Sequence, residues 1–432
     1  MTASDRGRGR PPTADELRRA GALEQAERYL LGLELFGMRF GLDRMRRLMT
    51  VLGSPQERYG TIHVVGTNGK SSTTRMIAAI LRRHGLRTGA YLSPHLVSFA
   101  ERIRVDDADV ASERFAAAVE RARRAAEKVD RTLGEDDRVT QFEALTAAAY
   151  DELAAARVEV AVVEAGLGGR YDATNVIDSK VQVLTNVGLE HTRWLGPTVA
   201  HIAAEKLDVV QPGGTLIVAP DLHPDALALA EETADQRGAR LVVAGTDPGV
   251  EVLARGPYQR RNFALARAAA EAYLGELDDD AVRAAGAATL VPGRFEIVDR
   301  EPDTVLDGAH NPGGIAALVE ALEDFVGERR LVACISILDD KDAAGMLREL
   351  LPLCAEIVCT TNANPRALPP ATLQSLCHQL GGPPSRTVAD PQRALREARE
   401  VAGPDGVALA TGSIYLIADL LRPAGAERRS TL

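Results

Sequence analysis

The segment HVVGTNGKSST, residues 63–73, sets Asn68, Gly69, Lys70 and two serines directly behind an apolar run. That order of residue types is suited to gripping phosphate. Backbone N–H groups of Thr67, Asn68 and Gly69 can point into one concavity, a helix starting near Ser71 presents its positive end there, and Lys70 adds a mobile cation. Ser71 or Ser72 then offers a hydroxyl to Mg²⁺. Against the strict pattern G-x-x-x-x-G-K-[ST], the position six before Lys70 is Val64 rather than glycine, so the match is partial. The alternative is a plain glycine turn between a strand and a helix, and the lysine and serine immediately after Gly69 weigh against it.

Three further clusters could do chemistry. In VVEAGLGGRYDATNV, Glu164 ends a strand and Gly166, Gly168 and Gly169 follow, so a carboxylate able to hold a metal sits beside backbone that a ligand can approach closely. Alone this is equally a glycine-rich turn; one strand from a phosphate loop it gains weight. NVGLEHTRWLG supplies Glu190, His191 and Trp194. Mg²⁺ prefers oxygen, so on chemistry alone His191 reads as a capping or hydrogen-bonding residue. Lys206, in HIAAEKLDVV, reads by itself as a solvated helix lysine. Farther on, GRFEIV contributes Arg294, and LDGAHNP contributes Asp307, His310 and Asn311; an aspartate after a strand binds a ribose hydroxyl or caps a helix. Gln259, Arg260 and Asn262 precede a helix and are equally ambiguous alone.

These residues need a scaffold, and the rest of the chain describes one. At 432 residues the chain exceeds what a single hydrophobic core usually supports, so two domains are expected. TIHVVG, TGAYLS, VEVAVVEAG, VQVLTNVG and GGTLIVA read as strands separated by helical stretches, which means a parallel sheet covered by helices. Ligands of such sheets lie at the carboxyl ends of the strands, where the unusual residues cluster. Pro292 and Gly293 mark a boundary. A second alternation follows in DTVLDGAH, RRLVACISIL, AEIVCTT and GVALATG, forming an α/β domain of about 140 residues. The expected organisation is a disordered tail over residues 1–15, a first domain over 16–291 and a second over 292–432. The apolar spacing from Leu23 to Leu52 predicts helix up to the stop at Gly53 and Pro55.

A net charge of −10 argues against a general nucleic-acid binder, because phosphate backbones need clustered Lys and Arg. The four cysteines, Cys334, Cys354, Cys359 and Cys377, contain no CxxC pair, so neither a zinc knuckle nor a disulfide framework is indicated and a reduced, cytoplasmic setting is expected. No apolar run approaches the ~20 residues needed to cross a bilayer.

Read in order, the segments resemble the folylpolyglutamate synthase and dihydrofolate synthase family, a branch of the ATP-dependent Mur ligases. The motifs GTNGK, SPHL, TxFE, ExGLGGRxDATN, GLxHxxWLG, EK, QxxN, PGRFE, DGAHNP, DKD, NPRAL and GSxYL follow one another over roughly residues 40–416. The resemblance implies a Mur-ligase-like α/β fold: an N-terminal P-loop parallel-sheet ATPase domain and a smaller C-terminal Rossmann-like domain. It implies that Thr67, Asn68, Gly69, Lys70, Ser71, Ser72, Asn262, Arg294 and Asp307 contact ATP. Glu164 and His191, with Ser71, Ser72 and Ser93, would bind Mg²⁺. Lys206 would carry a carbamate and hold a second ion. Phe40, Gly41, Leu42, Asp43, Thr140, Phe142, Glu143, Tyr171, Asp172 and Ala173 would form the pterin site, and His310 and Ser413 would lie near the incoming glutamate, with Lys70, Lys206 and His310 as the catalytic set. The partners implied are ATP, L-glutamate and dihydropteroate or a folate, in a monomeric enzyme with no nucleic acid or membrane partner. Rival readings are a Mur-type ligase acting on a UDP-muramyl substrate and a non-ligase P-loop NTPase. Four departures from the family pattern stand out: Ser71 after the lysine, Glu190 for aspartate, Tyr258 for histidine before Gln259, and EKLDVV for EKAGI. The stretch from Val243 to Tyr258 is also short.

Overall fold

The computed structural model describes residues 14–34, 41–134 and 137–422. Of the expected tail, residues 1–13 lie outside this range, and its last two residues open the helix Ala14–Leu31.

The first sheet contains β1 (Gly60–Val65), β2 (Thr88–Tyr91), β3 (Ile103–Val105), β4 (Ala108–Asp109), β5 (Val160–Glu164), β6 (Val181–Leu184), β7 (Thr215–Val218) and β8 (Arg240–Val243), in the order β4-β3-β2-β5-β1-β6-β7-β8. All pairs are parallel except β2 with β3 and β3 with β4. Helices cover both faces, so the central strands are continuous apolar runs rather than alternating ones. Alternation survives as a choice of layer. Val160 and Val162 of β5 pack with Ile62, Val64, Met76, Ile77 and Phe263, whereas Ala161 and Val163 pack with Leu48, Phe115, Leu145 and Tyr150 on the opposite face. Helix Lys70–Arg83 and helix Pro257–Leu274 form the first of these layers.

The second sheet contains β9 (Glu296–Asp299), β10 (Asp303–Leu306), β11 (Leu331–Ile335), β12 (Glu356–Cys359), β13 (Ser385–Thr387) and β14 (Val407–Thr411), in the order β13-β12-β11-β14-β10-β9 with only the β9 pair antiparallel. Ile315, Leu318, Met346 and Leu373 cover one face, and Ala394, Ala398, Leu416 and Ile417 the other. The mixed α/β class and the two parallel-rich sheets are those the sequence pattern implies.

The stretch expected to run as helix from Leu23 to Leu52 is instead two helices, Ala14–Leu31 and Asp43–Leu52. Gly32 closes the first by donating its N–H to the Arg28 and Tyr29 carbonyls. Apolar spacing alone does not register such a break, because glycine costs a helix about 1 kcal/mol without disturbing the pattern around it. The short strands β3, β4, β8, β9 and β13 lie toward the sheet margins, where little apolar burial is needed to hold a strand.

Candidate active site

The phosphate loop follows β1. Gly66 has φ +150°, and a Cβ there would stand 1.9 Å from Thr185 Oγ1; at Gly69, φ +83°, it would stand 2.6 Å from Asn262 Oδ1. Only glycine lets the loop press against these two side chains. The loop is braced from β6: Thr185 Oγ1 donates to the Asn68 carbonyl at 2.6 Å, and Asn186 Oδ1 accepts from the Asn68 N–H at 2.8 Å. Lys70 opens helix Lys70–Arg83, and its Nζ donates to the Gly66 and Thr67 carbonyls at 3.1 and 3.2 Å.

Pairing Val64 of β1 with Glu164 of β5 sets that carboxylate beside the loop. Glu164 is buried; one oxygen accepts from Ser71 Oγ at 2.8 Å and the other from the Ser93 N–H at 3.0 Å. Burial raises its pKa, with Lys70 and these hydrogen bonds opposing the shift. The hydroxyl on the carboxylate is thus that of Ser71, one of the departures from the family pattern, while Ser72 is almost fully buried at the cavity wall.

Lys206 is not the solvated helix residue that its local sequence suggests. It is 5% exposed, lies behind the loop, and its Nζ donates to the Gly66 carbonyl at 2.8 Å, the same oxygen that Lys70 contacts. Burial, then the neighbouring Lys70 charge, pushes its pKa down to about 7 from an ordinary 10.5. Between those two values the unfolded chain binds more protons at this site than the folded one, so Lys206 makes stability rise with pH through that window. Urea unfolding of the parent and of Lys206→Met should therefore diverge, the parent gaining about 3 kcal/mol more than the variant between pH 7 and pH 9.5. Parallel pH profiles would refute the burial-driven shift.

His191 takes φ +52° immediately before the short helix Thr192–Leu195. Two-fifths of its side chain stays open to the cleft, yet lost hydration outweighs the pull of Glu190 and its pKa falls to about 4, so the ring is neutral at pH 7. Glu190 faces the other sheet: Lys341 Nζ is 2.9 Å and His310 Nε2 3.3 Å from its Oε1. Burial opposes ionisation there, but His310, Lys341 and His191 outweigh it and hold the carboxyl well below the usual range. His310 Nδ1 donates to the Gly308 carbonyl at 2.9 Å, which leaves Nε2 facing Glu190.

A second bridge across the cleft is a reciprocal amide pair. Asn68 Nδ2 donates to Asn311 Oδ1 at 3.1 Å, and Asn311 Nδ2 returns a bond to Asn68 Oδ1 at 2.9 Å. Asn311 Oδ1 also caps helix Pro312–Val326 through the Gly314 N–H. Asn311→Ser keeps a good capping oxygen but deletes the amide pair. Its apparent KM for ATP should rise about tenfold, the equivalent of a lost polar bridge, with the melting temperature nearly unchanged. An unaltered KM would show the pair to be incidental.

Thr67, Asn68, Gly69, Lys70, Ser71, Ser72, Ser93, Glu164, His191, Asn262, Arg294, Asp307 and His310 all line one cavity of about 490 Å³ between the sheets. Asp307 is largely committed to the protein: it accepts from Tyr258 Oη at 2.9 Å, the Phe295 N–H at 2.8 Å and the Ala309 N–H at 2.8 Å. Tyr258, the departure before Gln259, is therefore one of the three donors that hold this aspartate, and the side-chain one. Gly41, Thr140, Phe142, Glu143, Tyr171, Asp172, Ala173, Ser93, His191, His310 and Ser413 line an adjoining cavity of about 410 Å³ whose walls include Leu167, Trp194, Leu338 and Tyr415. Thr140 and Glu143 cap helix Gln141–Ala155 reciprocally, and Glu143 accepts from Arg44 Nε at 3.0 Å. Asp172, whose pKa burial raises, accepts from the Leu167 N–H at 2.7 Å and orders the glycine turn. Ser413 caps helix Ile414–Leu421.

Two expected substrate contacts, Leu42 and Asp43, do not line this cavity. Leu42 is buried in the protein interior, and Asp43 opens helix Asp43–Leu52 with an 86% exposed side chain, 3.6 Å from Arg46, because an acidic first-turn residue is favoured facing solvent at a helix N-terminus. Phe40 lies outside the described residues. The cavity is also lined by Arg44, Arg102, Lys341 and Arg366, to which no role was given beforehand. Lys341 and Arg366 sit inside the DKD and NPRAL motifs, a signal that was in view, and Arg44 directly follows Asp43.

Among the described residues no three His, Cys, Asp or Glu side chains gather as a metal centre. The donors beside the phosphate loop are one carboxylate, serine hydroxyls and a neutral imidazole. That set suits a hard ion which keeps phosphate oxygens and water among its ligands.

Residues 64–254 match the family model described as Mur ligase middle domain, and residues 293–414 the one described as Mur ligase, glutamate ligase domain. The dihydrofolate synthase/folylpolyglutamate synthase of Mycobacterium tuberculosis is 36% identical over 406 residues, 84% of this chain and 82% of that protein. The structure of the Mycobacterium tuberculosis folylpolyglutamate synthase complexed with ADP superposes with a TM-score of 0.86 at 32% identity, covering 93% of this chain and 97% of that one. That of Escherichia coli FolC in complex with DHPP and ADP superposes with a TM-score of 0.83 at 29% identity, covering 93% and 97%. The likeness runs through both sheets and the cleft between them, and the chain therefore belongs to the dihydrofolate synthase/folylpolyglutamate synthase family of Mur ligases.

Proposed function

We propose that this ATP-dependent ligase joins the amino group of L-glutamate to the carboxyl group of dihydropteroate or of a folate glutamate by way of an acyl phosphate, releasing ADP and phosphate. One observation carries the reading. The phosphate-loop cavity and the adjoining apolar-walled cavity share Ser93, Pro94, Gly166, His191 and His310, so a triphosphate tail and a carboxylate entering from opposite ends meet at those residues. That the Escherichia coli relative binds DHPP together with ADP, and the mycobacterial one ADP, supports a nucleotide and a second substrate as the two occupants. For this reaction the chain divides at residues 291/292, with ATP and the pterin on the first part and glutamate on the second.

In this reading the loop N–H groups and Lys70 neutralise the phosphates, and Asn262, Arg294 and Asp307 face the nucleotide. Glu164, Ser71, Ser93 and His191 would hold Mg²⁺, which would supply charge neutralisation and Lewis acidity at the phosphoryl oxygens. The substrate carboxylate attacks the γ-phosphorus and the bond to the ADP oxygen breaks. The glutamate amine then attacks the acyl carbon, phosphate leaves, and the amine proton passes to His310 Nε2, where Glu190 stabilises the imidazolium. Lys206, whose pKa of about 7 leaves a large neutral fraction at pH 7, could add CO₂ through its free amine and release a proton to solvent, and the resulting carbamate would offer carboxylate-like oxygens to a second ion.

Mass analysis of products formed with ATP, Mg²⁺, glutamate and either dihydropteroate or tetrahydrofolate tests the reading: a glutamyl adduct is expected with at least one of them. ADP release that ignores glutamate would instead indicate a simple NTPase, and turnover only with a UDP-muramyl acceptor would indicate a peptide ligase.

A further inference from the structure

A third cavity, of about 290 Å³, shares no lining residue with the two just described. It sits at the opposite, amino-terminal end of β2, between helix Lys70–Arg83 and the segment that leads to the second sheet, and it is lined by Arg75, Ala78, Thr88, Arg104, Asp107 and residues 288–290 among others. Its charged groups are unequally satisfied. Asp106 Oδ1 accepts from the Thr88 N–H at 3.0 Å, and Asp107 Oδ2 accepts from Arg82 and Arg83 at 2.9 and 3.2 Å. Arg104 is taken up by Asp109 and by the Asp107 carbonyl. The Arg75 side chain, partly buried, makes no hydrogen bond or ion pair among the described residues. Thr88, 1% exposed, leaves its Oγ1 without a partner as well.

A guanidinium at a cavity wall with no hydrogen-bond partner is expensive: it loses part of its water, and only the more distant pull of Asp109, Glu101 and Glu164 offsets the cost. Burial, reinforced by the nearby Arg104 charge, lowers the Arg75 pKa to about 10. A guanidinium offers a planar fork of donors that matches carboxylate and phosphate oxygens. We propose that this cavity is a binding site for a small anion, a phosphate or a carboxylate, held by Arg75 and seated against the connection between the two sheets. Arg75 lies one helical turn beyond Ser71, so an occupant touches both the helix that presents the phosphate loop and the connecting residues 288–292. The site is additional to the assigned ligation and does not depend on it.

Calorimetric titration of inorganic phosphate, and separately of malonate, into the full chain saturated with MgADP tests this, because the nucleotide already occupies the phosphate loop. One further equivalent of at least one anion is expected to bind, with affinity lowered at least tenfold in Arg75→Met and retained in Lys70→Met. Which anion binds identifies the class. A selenate soak of crystals of the unaltered protein provides a readout that needs no variant, with an anomalous peak expected within hydrogen-bond distance of the Arg75 guanidinium. Absence of anion binding to the MgADP complex, equal affinity in Arg75→Met, or selenate found only away from Arg75 would each overturn the site.

Discussion

Lys206→Met should lower ligation turnover by ~10³-fold or more, while MgADP binding stays within a few fold of the parent. The side chain is buried behind the phosphate loop, pressed on the Gly66 carbonyl, and close enough to Lys70 for the two charges to repel. A protonated lysine would gain little there. On the proposed function, a neutral amine that captures CO₂ and loses a proton would become an anionic ligand behind the loop, and methionine, of similar length and apolar, can do neither. Two readouts separate this from mere repacking. Intact mass of the parent in bicarbonate buffer should show one added CO₂ that the variant lacks, and parent activity should fall when CO₂ is removed. Turnover of the variant within threefold of the parent would dispose of a catalytic Lys206.

Glu164→Gln should cost a similar ~10³-fold in kcat/KM and raise the Mg²⁺ concentration needed for half-maximal rate. The substitution keeps shape: the amide oxygen can still accept from the Ser93 N–H, and the amide nitrogen can donate to Ser71 Oγ in place of the bond seen now. What disappears is the negative charge beside Lys70 and the phosphate position. Folding should survive, because glutamine removes a buried charge that burial already disfavours. A melting temperature lowered by many degrees together with an unchanged Mg²⁺ requirement would mean that Glu164 is a strut for the loop and not a metal ligand.

These two residues show unequal legibility. Glu164 could be read from the chain because it ends an apolar run and is followed by glycines, and both signals are local. Lys206 could not: its neighbours form an ordinary helix, and only the packing of helix Val199–Leu207 beneath the loop removes it from water. The family resemblance implied a role for it, but its own neighbours in the chain gave no sign of the burial that the structure shows. The same holds for Glu190. In the sequence it stands only as a departure from aspartate; in the structure it reaches Lys341, 151 residues away, and ties the two sheets together. Tyr258, another departure, proves to be the hydrogen-bond donor that steadies Asp307.

By itself the sequence determined the α/β class, the phosphate loop over residues 66–72 and the strand ends at which functional residues would collect. These are encoded by neighbouring residues: apolar runs, glycines at positive φ, and a lysine at a helix start. Tertiary structure alone decided which charges face one another, which lysine is dry, that Asp43 points outward, and that a guanidinium on helix Lys70–Arg83 has no hydrogen-bond or ion-pair partner among the described residues. The physical reason is that protonation and ion pairing depend on water excluded and charges supplied by segments far apart in the chain, and no local pattern records either.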